Sequence, residues 1–509
     1  MRLTLEQERA VAGLAAHKRI VAVAGSGKTR VLVEQVGRWV AAGAEPATTA
    51  VITFTRRAAE EIRRRIAREH EVEIGYGGTV HGMAYLALAL ALDGKHRLTP
   101  LTDEEVEAVV AHVAGESRLT SAVCPKVLKM ARHEDVHQET MRPEQLGLAH
   151  MVQSYMDAAR LVHVGHLVTR FVGLLLWHDD LRAWVQERAR TVLWDEYQDA
   201  TPEQAQLLDM LHPDRSCVVG DPAQAIFGFA GASDRYLLER TVETFTLSYN
   251  FRSAGLVVQA ANRHLGRPAL RAFREEPGFV AGWPVHDPSP ISDDAMSGIG
   301  IALEVTGTPA TVLCRTNREV AAVRDYLAAF SPAWRVCVAS PGFDRYAGEP
   351  WKTLFLACRH VLDPACEWLA SSVRRAGVTG TDLWDVKPRT TTAGEVLKIL
   401  SPEAAAQETD DALGLSVLDF AGWYQRRDVE DLMPQDAGAD VTVMTAHAAK
   451  GLEFERVVLA GVGHSLGRTG AGDDREEANL LYVGITRARD GLAVVGRPDC
   501  VAKLVKGGL

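Results

Sequence analysis

Residues 19–40 read RIVAVAGSGKTRVLVEQVGRWV. An apolar, β-branched run leads into a turn with two glycines, and the turn leads into a segment whose apolar residues recur at helical spacing. That order predicts strand, loop and helix. The loop AVAGSGKT follows the phosphate-binding pattern G-x-x-x-x-G-K-[ST], except that Ala22 stands where the first glycine is expected. Ala24, Gly25, Ser26 and Gly27 form the turn. Its two glycines free the backbone N–H groups to wrap phosphates at a helix N-terminus, where the dipole favours anions. Lys28 would reach the β- and γ-phosphates, and Thr29 would place its hydroxyl on magnesium, a hard cation that takes oxygen ligands. Bound Mg2+ and ATP are therefore expected.

Two further apolar runs stop at acidic residues. Residues 189–199, ARTVLWDEYQD, end on Asp195 and Glu196. In a nucleotide-binding α/β sheet the chemistry gathers at the carboxyl ends of the strands. Asp195 would hold the metal, directly or through water, and Glu196 would orient and deprotonate the attacking water. Residues 215–232, RSCVVGDPAQAIFGFAGA, place Asp221 and Gln224 where a γ-phosphate could be sensed.

The bulk properties allow this reading without demanding it. The 509 residues are too many for one core and suit roughly three or four domains. Apolar residues make up 47% and charged residues 24%, values of a globular chain, and no run is long enough to span a bilayer. The N-terminus lacks the charged head and apolar run of a secretory signal, so a cytoplasmic location is expected. The seven cysteines are scattered and never spaced as C-x-x-C, which argues against a disulfide framework or a zinc site. A net charge of −10 does not exclude a polyanionic partner, because nucleic-acid binding depends on local basic faces.

With these three segments in place, the remaining motifs make the chain similar to the UvrD, Rep and PcrA group of superfamily 1A helicases. LTLEQERAV (3–11) resembles the Q motif, FTRRAAEEIRRR (54–65) motif Ia and GTVHGMA (78–84) motif Ib. DEYQD (195–199) resembles motif II, VGDPAQAIFGFAGA (219–232) motif III and LSYNFRS (247–253) motif IV. VTVMTAHAAKGLEFERVVLAGV (441–462) resembles motif V and EEANLLYVGITRARDGLAVV (476–495) motif VI, so the match runs in family order along most of the chain.

The resemblance implies an α/β fold of two RecA-like domains, parallel sheets flanked by helices, with a helical 1B and a reduced helical 2B insertion. Domain 1A is expected at 1–85 and 186–246, 1B at 86–185, 2A at 247–345 and 440–509, and 2B at 346–439. It implies further that Gln7 reads the adenine edge, that Phe251 stacks on the base, that Arg30 joins the nucleotide site and that Glu453 lies near the ribose or phosphates. Arg252 and Arg487 would neutralise transition-state charge, an effect worth roughly 10³–10⁵ in rate. DNA contacts are implied for Phe54, Thr55 and Arg56 of motif Ia, Thr79 and His81 of motif Ib, Phe229 of motif III, and Thr445 and His447 of motif V. Aromatic groups on such a track stack on bases without reading sequence. Most of the basic run 56–68 reads as a solvated helix face, with phosphate contact expected from Arg56 or Arg57 alone.

Two departures from the family pattern stand out. Ala230 occupies the motif III position where relatives carry an arginine that couples ATP to DNA, and the interval 320–440 is short for a full 2B domain. From the short tail after motif VI, no nuclease domain is expected. The expected activity is 3′-to-5′ translocation on single-stranded DNA and strand separation at single-strand/duplex junctions, by a monomer or loose dimer. The alternative is a DNA-sensing ATPase subunit of a larger complex, of the compact outline found in the Gabija antiphage system. A protein partner, whether nuclease, repair or replication factor, is not identifiable from the residues.

Overall fold

Runs such as Thr49–Thr53 (TAVIT), Thr191–Trp194 (TVLW) and Ala310–Cys314 (ATVLC) are buried at every position. That is the pattern of strands covered by helices on both faces of a parallel sheet, where alternation would leave polar groups inside. The computed structural model describes residues 2–13, 15–91, 98–132, 136–339, 349–376, 383, 386–407, 411–426, 439–468 and 474–505. Among them the chain forms two compact units, Met1–Met83 with Leu174–Phe343 and Val429–Leu509, and Ala84–Gly173 with Asp344–Asp428.

The first unit holds two six-stranded sheets. One is built from β1 (His17–Ala22), β2 (Thr49–Thr53), β3 (Tyr76–Thr79), β4 (Thr191–Trp194), β5 (Arg215–Gly220) and β6 (Glu243–Leu247) in the order β3-β2-β4-β5-β1-β6. The other is built from β7 (Phe279–Pro284), β8 (Ala310–Cys314), β9 (Val336–Val338), β10 (Val441–Thr445), β11 (Phe454–Val462) and β12 (Ala488–Gly496) in the order β7-β12-β11-β8-β10-β9. Every ladder in both sheets is parallel. These are two RecA-like α/β layers. In the first, β1 lies between β5 and β6, so the loops after β1, β4 and β5 open on one edge.

Three helices fix that edge. α1 (Leu5–Ala12) starts at Thr4 with a reciprocal capping box to Gln7, which sets the Gln7 side chain at the helix start. α2 (Lys28–Ala41) begins directly after the phosphate loop and buries Val31, Leu32 and Val36 against Ile20 and Val219. Burial of each such side chain stabilises by about 1.5–3 kcal/mol. α3 (Arg56–His70) turns Ala59, Ile62 and Ile66 inward, one stripe at helical spacing. Its arginines lie outside and pair along the helix, Glu60 with Arg64 and Arg65 with Glu69. The basic run is thus mainly a solvated face.

The second unit joins two segments distant in sequence. The helix Asp103–Glu116 meets Trp351–Leu362 and Glu367–Arg375. Glu105, fully buried, accepts from Arg359 Nε at 2.8 Å. Lys352 pairs with Glu107, and His112 Nδ1 lies 3.0 Å from Ser371 Oγ. Phe355 stacks on Tyr424 at 4.3 Å. Among the described residues no helix is long and apolar enough to cross a membrane.

Candidate functional site

The loop after β1 reverses direction through two left-handed glycines, Gly25 at φ +66° and Gly27 at φ +76°. A side chain at Gly25 would meet Asn250 Nδ2 and Arg252 Cβ at 2.9 Å, and one at Gly27 would meet Gln7 Nε2 at 2.9 Å. Both positions need glycine for conformation and for space. The turn walls a cavity of about 1070 Å³, lined also by Lys28, Thr29, Arg30, Asp195, Glu196, Gln224, Phe251, Arg252, Glu453 and Arg487. Every residue the sequence nominated for nucleotide chemistry, apart from the loop's Ala24 and Asp221, which lies behind Gln224, lines this one space.

At its centre Lys28 Nζ donates to Glu196 Oε1 at 2.7 Å. Glu196 takes a left-handed backbone conformation, φ +53°, rare for a non-glycine residue and typical of functional sites. Its other oxygen accepts from Gln198 Nε2 at 2.8 Å. Burial alone would raise the Glu196 carboxyl, but the charges of Lys28 and Lys450 hold it below the usual range. Burial alone would lower Lys28, yet Glu196, Asp195 and Asp221 together raise it. Asp195 is pushed up, first by burial and then by the neighbouring Glu196 charge. Asp195 thus carries a charge that its surroundings disfavour and that a bound cation would offset. Thr29 and Asp195 supply the oxygens that could hold magnesium. Ser26 Oγ, buried and without a hydrogen-bond partner, fits a site shaped around phosphate oxygens.

Segments flanking the second sheet contribute the opposing wall. Asn250 Nδ2 donates to Ala24 O at 2.8 Å and Phe251 N to Gly25 O at 2.8 Å, so motif IV is laced to the phosphate loop. Arg252 Nε pairs with Glu453 Oε2 at 2.7 Å, which makes Glu453 the arginine's partner at the cavity wall. Arg487 is fully buried and donates to Gln224 Oε1 at 3.2 Å, Leu452 O at 3.0 Å and Val483 O at 3.1 Å. Burial, with repulsion from Arg252, pushes its guanidinium down to about 9. Gln7 Nε2 donates to Ser26 O at 3.0 Å, which sets the glutamine beside the loop.

A row of rings runs beside this cavity. Phe54, 54% exposed, stacks on Phe227 at 5.1 Å with planes 11° apart. Phe227 meets Phe229 edge-on at 6.0 Å, and Phe229, 75% exposed, meets His447 at 5.8 Å. Burial first, then Arg315 and Lys450, push His447 down to about 4, leaving a neutral ring at neutral pH. The nominated threonines serve turns: Thr55 Oγ1 caps α3 through Ala58 N, Thr79 Oγ1 accepts from Gly82 N, and Thr445, buried, accepts from Ala448 N. Arg56 and Arg57 are exposed at the start of α3. His81, half-buried, opens the helix after β3.

Sequence reasoning missed several members of the site. Lys450 Nζ pairs with Asp199, donates to Gln224 O at 2.7 Å and lies 4.7 Å over the Phe227 ring. Gln198, Asp199, Asn250, Phe227 and Tyr482 are the others. All lie inside motifs already quoted, so the signal was present. Their partners come from other elements, which no linear pattern reveals.

Two parallel RecA-like layers, with a phosphate loop on the first and Arg252 and Arg487 facing it from the second, define a tandem RecA-like P-loop protein. Residues 3–244 match the UvrD/REP helicase N-terminal domain and residues 426–496 the UvrD-like helicase C-terminal domain. The chain is 30% identical over 536 aligned positions to the ATP-dependent DNA helicase UvrD2 of Mycobacterium tuberculosis, covering 93% of this chain and 76% of that protein. It is 27% identical to UvrD1 of the same organism over 64% of this chain and 48% of that one. It is 29% identical to DNA helicase II of Escherichia coli over 50% and 39%. The chain belongs to the UvrD/Rep helicase family.

Proposed function

We propose that this protein is a Mg-ATP-driven translocase on single-stranded DNA that separates duplex at a junction, moving 3′ to 5′. The relatives' names, ATP-dependent DNA helicase and DNA helicase II, support the activity, and the family resemblance alone supports the polarity. The observation that carries the reading is Lys450. One cation from the turn between β10 and β11 touches Asp199 of the acidic cluster, the Gln224 backbone and the face of Phe227 in the ring row. A change at the phosphates and a change along the rings therefore share a side chain.

In this reading the phosphates draw Lys28 away from Glu196, and the freed carboxylate, still ionised, takes a proton from the attacking water. Arg252 and Arg487 neutralise charge developing on the γ-phosphate. Magnesium, when bound at Thr29 and Asp195, adds electrostatic stabilisation of that charge. Phe54, Phe229 and His447 offer stacking faces to successive bases, with Arg56 or Arg57 on a phosphate. The division into 1A, 1B, 2A and 2B, a cytoplasmic location and a monomer or loose dimer belong to the same proposal.

The test is steady-state ATP hydrolysis with and without an oligo-dT strand, with Glu196→Gln as the blank. Stimulation by DNA and a loss of about 10²–10⁴ in kcat in the variant are expected. Duplexes with a 3′ or a 5′ tail then test polarity. The second reading, a DNA-sensing ATPase subunit, rests on Ala230, exposed beside Phe229 where relatives carry arginine. Hydrolysis indifferent to DNA would favour it.

A further inference from the structure

The helix α4 (Asp474–Ile485) of the second sheet's layer grips the turn that follows β5. Asn479 Nδ2 donates to Pro222 O at 3.3 Å and Ala225 O at 2.9 Å, and Arg487, just past the helix, holds the Gln224 side chain. Between them Tyr482 does something neither can. Its ring is fully buried in one core cluster with Ala24 and Ile226. Its hydroxyl accepts from the Ala24 backbone N–H at 3.3 Å and stands 3.3 Å from Asp221 Oδ2, to which it donates. Asp221 Oδ2 also accepts from Gln224 Nε2 at 2.7 Å, and Asp221 N donates to Gln198 Oε1 at 3.0 Å. Gln198 in turn holds Glu196 and Asp199 at 2.8 Å.

We propose that Tyr482 is a positioning residue: its hydroxyl ties the phosphate loop of the first layer to Asp221, and so fixes Gln224 and Gln198 for hydrolysis only while the second layer is seated. The inference rests on the reading of this cavity as the ATP site and adds to it a device that makes hydrolysis conditional on domain closure. Connectivity carries this role. Asp221 lies on the first layer, yet one of its oxygens receives a proton donor from the second. Withdrawal of α4 would leave a buried carboxylate short of a donor and the Ala24 N–H unpaired, and both would relax together. An apolar ring at this position would fill the same space and transmit nothing. Tyr482 does not touch the cavity wall, so its effect passes through Asp221 and Gln224 rather than through contact with nucleotide.

The test is Tyr482→Phe, which keeps the ring, measured for kcat and KM for ATP with and without oligo-dT, alongside fluorescent ADP-analogue binding. A fall in DNA-stimulated kcat of about tenfold is expected, the size of one lost hydrogen bond, with KM and analogue affinity within about twofold. In the Asp221→Asn background the same change should cost almost nothing more, since both variants cut one link. A wild-type kcat in Tyr482→Phe, or full additivity with Asp221→Asn, overturns the proposal. A raised KM with weakened analogue binding also overturns it, because that is loss of loop structure. Absence of hydrolysis by the wild-type protein would instead overturn the reading of the ATP site, and the positioning role with it.

Discussion

The neutral state of His447 decides what kind of contact it can make. Burial pushes its ring down to about 4, so between pH 6 and 8 it offers a π-face and no charge. Its role in the row with Phe229 should survive replacement by phenylalanine. His447→Phe is expected to bind oligo-dT as the wild type does, with the same pH dependence over that range. Phe229→Ala, which removes the most exposed ring, should weaken binding by about 1–3 kcal/mol. Fluorescence anisotropy at fixed salt reads both. The sign for stability follows from the same shift. The unfolded chain takes up a proton near pH 6.5 that the folded ring refuses until about 4, so this group costs stability as pH falls through that window.

Among the elements, the short strand Tyr249–Asn250 does more than its length suggests. Asn250 is fully buried, donates to Ala24 O, and its Oδ1 accepts from Arg252 N at 3.0 Å and Ser253 N at 2.7 Å. One amide thus aims the arginine and holds the phosphate loop. Asn250→Ala strands a carbonyl and two N–H groups in the interior, each worth about 1–3 kcal/mol. The variant should lose at least about 3 kcal/mol in urea unfolding and bind ATP more weakly. Asn250→Asp keeps the two acceptor bonds but sets a buried carboxylate oxygen against the Ala24 carbonyl, so it should be destabilised as well.

At the scale of the whole molecule, the second unit is held by pairs between residues about 250 positions apart. Glu105 has no exposure and accepts from both Arg359 Nε and Thr102 N, so Arg359→Met would remove a charge-assisted partner from a buried carboxylate, at about 1.5–3 kcal/mol. Replacing both, as Glu105→Leu with Arg359→Met, should recover only part of that loss, because Glu105 also closes the capping box on Thr102 N. Differential scanning calorimetry of both variants checks this. DNA-independent ATP hydrolysis, which depends on the first unit's residues, should be spared.

The sequence alone determined the nucleotide end of this protein. A strand, two glycines and Lys28–Thr29 are contiguous, and the acids that follow β4 and β5 sit at strand ends, so local order marked them as the candidate site. Phe54, Phe229 and His447 were found through motif positions, and the structure sets them in one row. The tertiary structure decided what lies between those pieces. Lys450 meets Asp199, Tyr482 meets Ala24 and Asp221, and Arg359 meets Glu105, each pair joining segments with no common periodicity. A linear pattern records which face of an element is apolar. It does not record which distant polar group that face will carry inward, because that is set by the packing of whole layers.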